Sequence, residues 1–172
     1  MDTSNQTLIN SIHKLNDKWN LFYHLPDEKS WNLNSYKIIL NNIDNVETTV
    51  SLNNKITDKI IKYCMLFLFR SNINPMWEDP LNKNGGSFSF KVYNNKVVNI
   101  WKLLVYSLVG ETLCIDKKHN DLINGITISP KRKFCIIKIW LKNCLIQDPN
   151  ILISIPELTK QGCLFRKHEP DF

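Results

Sequence analysis

Apolar and polar positions along the chain change period several times, and each change marks a predicted element. Residues 18–23 alternate around Trp19, Leu21 and Tyr23, and residues 36–40 are β-branched and apolar after a polar loop, so both predict strands. Over residues 46–63 the period lengthens: Val46, Val50, Ile56, Ile60 and Ile61 recur at near-helical steps, with Asp44 or Asn45 available as N-cap and Glu47 in the first turn. That pattern predicts one helix. A buried strand is predicted over 65–69, a long loop carrying Pro75, Pro80 and the Gly85-Gly86 pair over 72–86, and another strand over 87–92. From 97 to 110, Val98, Trp101, Leu104, Val105 and Leu108 fall three and four apart and Gly110 stands where a helix would stop.

The clearest hairpin is 125–140. Ile126, Ile128, Ile137 and Ile139 share one face, whereas Thr127, Ser129, Lys131, Lys138 and Trp140 share the other. Its turn, Pro130-Lys131-Arg132-Lys133-Phe134, carries three consecutive basic side chains. From Gln147 onward, Pro149 and Pro156 leave room for a short helix and a last strand whose bounds the pattern does not define. There are too few β-helix-β units for a doubly wound sheet. The expected fold class is α+β: an antiparallel sheet with helices on one face and the opposite face open to a ligand.

At 172 residues, with 43% hydrophobic and 22% charged residues, the chain fits one globular domain. The expected division is a flexible tail over 1–12 and a single domain over 13–172. No apolar run approaches the roughly 18 residues of a membrane span, so no membrane association is expected. The polar start and an odd set of five cysteines without C-x-x-C spacing predict reduced thiols in an intracellular, cytoplasmic protein. A formal net charge of +6 calls for an anionic partner without choosing its kind. The chain holds 22 Asn, 21 Ile and 19 Lys and no Ala, which follows AT-rich codons, as in a parasite or a large virus, and carries no structural message.

Among five tryptophans, Trp19 and Trp101 lie within apolar periodicity and read as core. Trp31 and Trp77 stand in polar, turn-prone loops, where an indole either plugs the sheet end or offers its face to a planar ligand. Two loop indoles with a carboxylate directly after one of them suit a cationic purine. Each face adds a cation–π contribution to stacking, and Glu78 can accept two parallel hydrogen bonds that guanine donates and adenine cannot.

These residues resemble the cap-binding translation initiation factor 4E family. The matching segments are His13-Lys14-Leu15-Asn16-Asp17-Lys18-Trp19, Lys29-Ser30-Trp31, Pro75-Met76-Trp77-Glu78-Asp79, Asn82-Lys83-Asn84-Gly85-Gly86, Trp101 with Leu108-Val109-Gly110-Glu111, and Lys138-Ile139-Trp140. They keep family order and near-family spacing across about residues 13 to 143. The resemblance implies a curved sheet with helices on its convex side and a slot for 7-methylguanosine on the concave side. It implies Trp31 and Trp77 as stacking faces, Glu78 as the guanine-reading carboxylate and Trp140 as the methyl-group contact. No cofactor, metal or catalytic residue is implied, and a monomer is expected.

The departures from the family pattern also matter. Ser87 stands where the family usually has Arg, the first phosphate-binding Arg aligns with Lys131, and the second cation aligns with Ile136. Lys138, Arg132 and Lys133 are therefore the substitute phosphate-binding candidates, against the alternative that Arg132 and Lys133 only solvate a turn. The surface implied for a scaffold protein of the initiation factor 4G type comprises His13, Leu15, Val46, Val50, Leu103, Tyr106 and Gly110. There an aromatic anchor has become Val50 and a carboxylate Leu103. The expected partner is 7-methylguanosine-capped mRNA, together with a scaffold of altered motif. The alternatives are a cap-binding repressor that does not recruit the usual scaffold and a non-cap single-stranded RNA module. An enzyme is not expected: the four histidines are scattered, and no acidic cluster or Gly-rich phosphate cradle is present.

Overall fold

Seven strands pair edge to edge, each antiparallel to its neighbours, in the order β2-β1-β3-β5-β6-β4-β7. The computed structural model describes residues 12–168. The strands are β1 (Lys14–His24), β2 (Tyr36–Asn45), β3 (Met65–Arg70), β4 (Gly86–Tyr93), β5 (Ile123–Pro130), β6 (Phe134–Leu141) and β7 (Leu164–Lys167). The helices are α1 (Val46–Lys55), α2 (Asp58–Tyr63) and α3 (Val97–Val109). The fold is a curved α+β sheet with helices on one side. Apart from Ile12, the expected tail lies outside the described residues.

Strand alternation sorts side chains into two apolar layers. Leu21, Leu66, Leu68, Phe88, Phe90, Ile126, Ile128, Ile137 and Ile139 join Ile100, Trp101, Leu104 and Leu108 of α3 in the main core on the helix side. Phe22, Phe67, Phe69, Ile73 and Trp140 form a smaller cluster on the opposite face. Trp19 and Trp101 are fully buried. Gly125 lies where a Cβ would meet the Leu68 carbonyl and the Phe69 ring, so glycine is what lets β5 run close beneath that ring.

The single helix expected over 46–63 is two. The Asn45 side chain caps α1 by accepting from the Thr48 N–H, α1 ends at Ile56, and Thr57 caps α2 by accepting from the Ile60 N–H. The orientation of α1 also departs from the apolar pattern. Val46 and Val50 are 42% and 39% exposed, while Thr49 and Asn53 are buried. Thr49 Oγ1 donates to the Asn45 carbonyl at 3.0 Å and Asn53 Nδ2 to the Lys102 carbonyl at 3.2 Å, so both inward donors have partners, while the valines are left outside. Among the described residues, no helix is long and apolar enough to cross a membrane.

Candidate functional site

The loop between β1 and β2 is built around His24. This side chain is buried at the end of β1, and its two ring nitrogens lie 3.0 and 2.9 Å from the carbonyl oxygens of Leu25 and Ser30. A ring N–H donated to one of these carbonyls fixes the plane of the imidazole, and Trp31 stacks on it with ring centroids 4.0 Å apart and 7° between planes. Tyr36 meets Trp31 edge-on at 6.2 Å and Phe67 at 5.1 Å. Trp31 thus has one face held by protein, yet half of the residue remains accessible.

The loop between β3 and β4 presents Trp77 and Glu78, both exposed. Its shape comes from two buried polar residues. The Asp79 carboxylate accepts from the Asn74 N–H, the Asn74 side-chain amide and the Leu81 N–H, all near 3 Å. The Asn82 amide donates to the Asn74 and Met76 carbonyls, and Asn124 Nδ2 donates to Asn82 Oδ1 at 2.9 Å. With its polar groups occupied inside, the loop turns Trp77 outward.

Between these loops lies a cleft of about 250 Å³ lined by Trp31, Tyr36, Trp77, Glu78, Lys138 and Trp140, among others. Trp140 forms its floor. Its Nε1 donates to Thr127 Oγ1 at 3.3 Å, Phe69 meets it edge-on at 5.3 Å, and His168 tilts over it at 4.4 Å. Burial, with the Glu78 carboxylate adding to it, pushes the Tyr36 phenol up to about 12. The cleft therefore keeps a neutral phenol beside a carboxylate. The Lys138 amine is held below its usual range, first by burial and then by the neighbouring charges of Arg166 and Lys131. Lys131, Arg132 and Lys133 are exposed on the β5–β6 turn. Flat apolar walls, one carboxylate and cations toward one side can hold a planar, positively polarised heterocycle carrying an anionic tail.

The chain matches the family model described as Eukaryotic initiation factor 4E over residues 14–169. It belongs to the eukaryotic initiation factor 4E family. It is similar to the eukaryotic translation initiation factor 4E of Eremothecium gossypii, 33% identical over 138 residues that cover 76% of this chain and 63% of that one. It is also similar to the eukaryotic translation initiation factor 4E homolog of Acanthamoeba polyphaga mimivirus, 39% identical over 87 residues, 51% of this chain and 29% of that one. The chain spans less than two thirds of the length of either relative. Among solved structures, Ascaris suum eIF4E-3 with m7G cap superposes with a TM-score of 0.70 at 27% identity, covering 81% of this chain and 79% of that chain.

In this initiation factor 4E fold, the cleft gathers Trp31, Trp77, Glu78, Trp140 and Lys138, and leaves Lys131, Arg132 and Lys133 on the turn outside its lining. Of the residues singled out for a scaffold surface, Val46, Val50, Leu103, Tyr106 and Gly110 are exposed on the helix side, and Leu15 is half-buried. His13 Nδ1 lies 2.6 Å from the Glu47 carboxylate, and its carbonyl accepts from the Val46 N–H. Sequence reasoning missed His24, Tyr36 and Asn82 as shapers of the site. Of these only Asn82 gave a signal, as the start of the Asn-Lys-x-Gly-Gly string.

Proposed function

We propose that this chain binds the 7-methylguanosine 5′ cap of messenger RNA and acts in translation initiation. The observation that carries the reading is that two accessible indoles from separate loops, Trp31 and Trp77, border one cleft with Glu78. The base lies between the indoles, whose electron-rich faces attract the positive charge that N7 methylation creates. Glu78 accepts from the guanine ring N–H and the exocyclic amine, and Trp140 meets the methyl group. Lys131 and Lys138, with Arg132 and Lys133 near the exit, take the phosphates. The solved Ascaris suum eIF4E-3 structure with m7G cap supports the assignment. The reading is of a binding protein, not an enzyme, working in the cytoplasm where capped messages are translated.

Stacking contributes on the order of 1–3 kcal/mol per face and charge-assisted hydrogen bonds to Glu78 roughly 1.5–3 kcal/mol. Association costs at least about 4 kcal/mol. The phosphates therefore decide whether affinity reaches about 1 μM, equivalent to roughly −8.2 kcal/mol. Intrinsic tryptophan fluorescence tests the reading: 7-methylguanosine triphosphate is expected to quench it, and unmethylated GTP to do so hardly at all. Equal quenching by the two nucleotides would sink the assignment. Glu78→Ala is expected to weaken binding by about 1–3 kcal/mol while leaving the melting temperature in place.

A further inference from the structure

The last strand, β7, brings a cation to the cleft side of the sheet. Its parity is set by packing: Phe165 meets Phe88 edge-on at 5.4 Å and joins the helix-side core, so its neighbour Arg166 faces the other way. His168, two residues further, lies over Trp140 on that same face. Register agrees. Trp140 of β6 pairs with Ser87 of β4, and Ser87 pairs with Arg166, so the three form one cross-strand row. Ser87, between Trp140 and Arg166 in that row, is short and buried. In the next row Lys138 pairs with Ser89.

We propose that Arg166 is a phosphate-binding residue of the cleft, which with Lys138 holds the oligophosphate leaving the base. The proposal rests on the cap-binding reading for the identity of the base, though not for the anion site itself. Arg166 is exposed and, like Lys138 and Lys131, forms no ion pair among the described residues. The field of its guanidinium reaches Lys138 and helps hold that amine below its usual range. Arg166 and Lys131 repel the charge of Lys138, and a bound anion relieves that repulsion. The chain has only three arginines against 19 lysines. Arg70 is committed to Asp17 and Glu111, and Arg132 sits on the turn, which leaves Arg166 as the planar fork suited to two phosphate oxygens on this face.

Titrations of the full chain with 7-methylguanosine, its triphosphate and sodium tripolyphosphate, read by tryptophan fluorescence and calorimetry, test this. Arg166→Ala is expected to weaken the triphosphate and tripolyphosphate about ten-fold and to leave the nucleoside unchanged. Arg166→Lys should recover part of the loss, and Lys167→Ala, on the opposite face of the same strand, should lose nothing. Added salt should shrink the difference between wild type and Arg166→Ala. An unchanged ratio of triphosphate to nucleoside affinity in Arg166→Ala would overturn the proposal, whether both affinities hold or both fall. Failure of the cap reading looks different: wild-type protein would bind tripolyphosphate but not 7-methylguanosine, and the Arg166 effect on tripolyphosphate would persist.

Discussion

His24 illustrates how a buried side chain can set the geometry of an exposed ring beside the cleft. Its ring lies between the carbonyls of Leu25 and Ser30 and stacks against one face of Trp31. An unsupported indole on a loop would sample several rotamers, and binding would have to order it at a cost of about 0.5–1.5 kcal/mol. His24→Ala should therefore weaken cap-analogue binding by several-fold, and its effect should vanish in a Trp31→Ala background, because both act through one ring. Additive effects in that double-mutant cycle would show that His24 contributes only to folding. Position 31 was legible in the sequence because an indole in a polar loop is out of place. Position 24 was not, because a lone histidine at a strand end carries no pattern, and its partners are backbone atoms.

At the level of elements, α1 turns its valines outward and its Thr49 and Asn53 inward. Leu103 and Tyr106 of α3 are exposed as well, so apolar side chains of both helices face away from the sheet. The cleft lies on the other side, which lets one surface change while the other is kept. Where the family has a broad aromatic anchor, Val50 offers two methyl groups, and loss of a central aromatic often costs more than about 2 kcal/mol at an interface. A standard helical scaffold peptide of the initiation factor 4G type is therefore expected to bind this chain weakly when titrated at physiological salt. Submicromolar binding would show that the helix-side surface works despite Val50 and Leu103. The periodicity of residues 46–63 revealed helical spacing but not direction. Which face of α1 is buried was set by contacts remote in the sequence: the Lys102 carbonyl, which accepts from Asn53, is 49 residues away.

Across the whole molecule, the charges that act on Lys138 come from segments far apart in the chain. Lys131 and Lys138 come from the β5–β6 hairpin and Arg166 from β7; burial first, and then the charges of Arg166 and Lys131, holds the Lys138 amine below its usual range. A lysine whose folded-state pKa lies below its unfolded value binds fewer protons in the folded state, so the charged form costs stability at neutral pH. That cost fades as pH rises toward the unfolded value. Lys138→Met is accordingly expected to raise the melting temperature of the ligand-free protein near pH 7, by on the order of 2–4 °C, with the gain shrinking in strongly alkaline buffer. The same substitution should weaken the cap triphosphate and not the nucleoside. A lower melting temperature together with unchanged triphosphate affinity would show that Lys138 is a packing residue.

Local signals were enough for the α+β class, for the parity of the 125–140 hairpin and for singling out Trp31, Trp77 and Glu78 among the residues that border the cleft. Alternation places Ile137 and Trp140 on opposite faces wherever the strand is put, and an apolar ring between prolines has few other uses. Those properties belong to a few consecutive residues, so sequence by itself determined them. The order β2-β1-β3-β5-β6-β4-β7 was decided only when strands distant in sequence paired. That pairing set Arg166 in line with Ser87 and Trp140, and laid His168 over the indole. A cation on a four-residue strand after a long irregular segment has no local mark of its neighbours. The physical reason is range: a side chain's face follows from its own strand, whereas the charges and rings it meets are set by the register of hydrogen bonds to other strands.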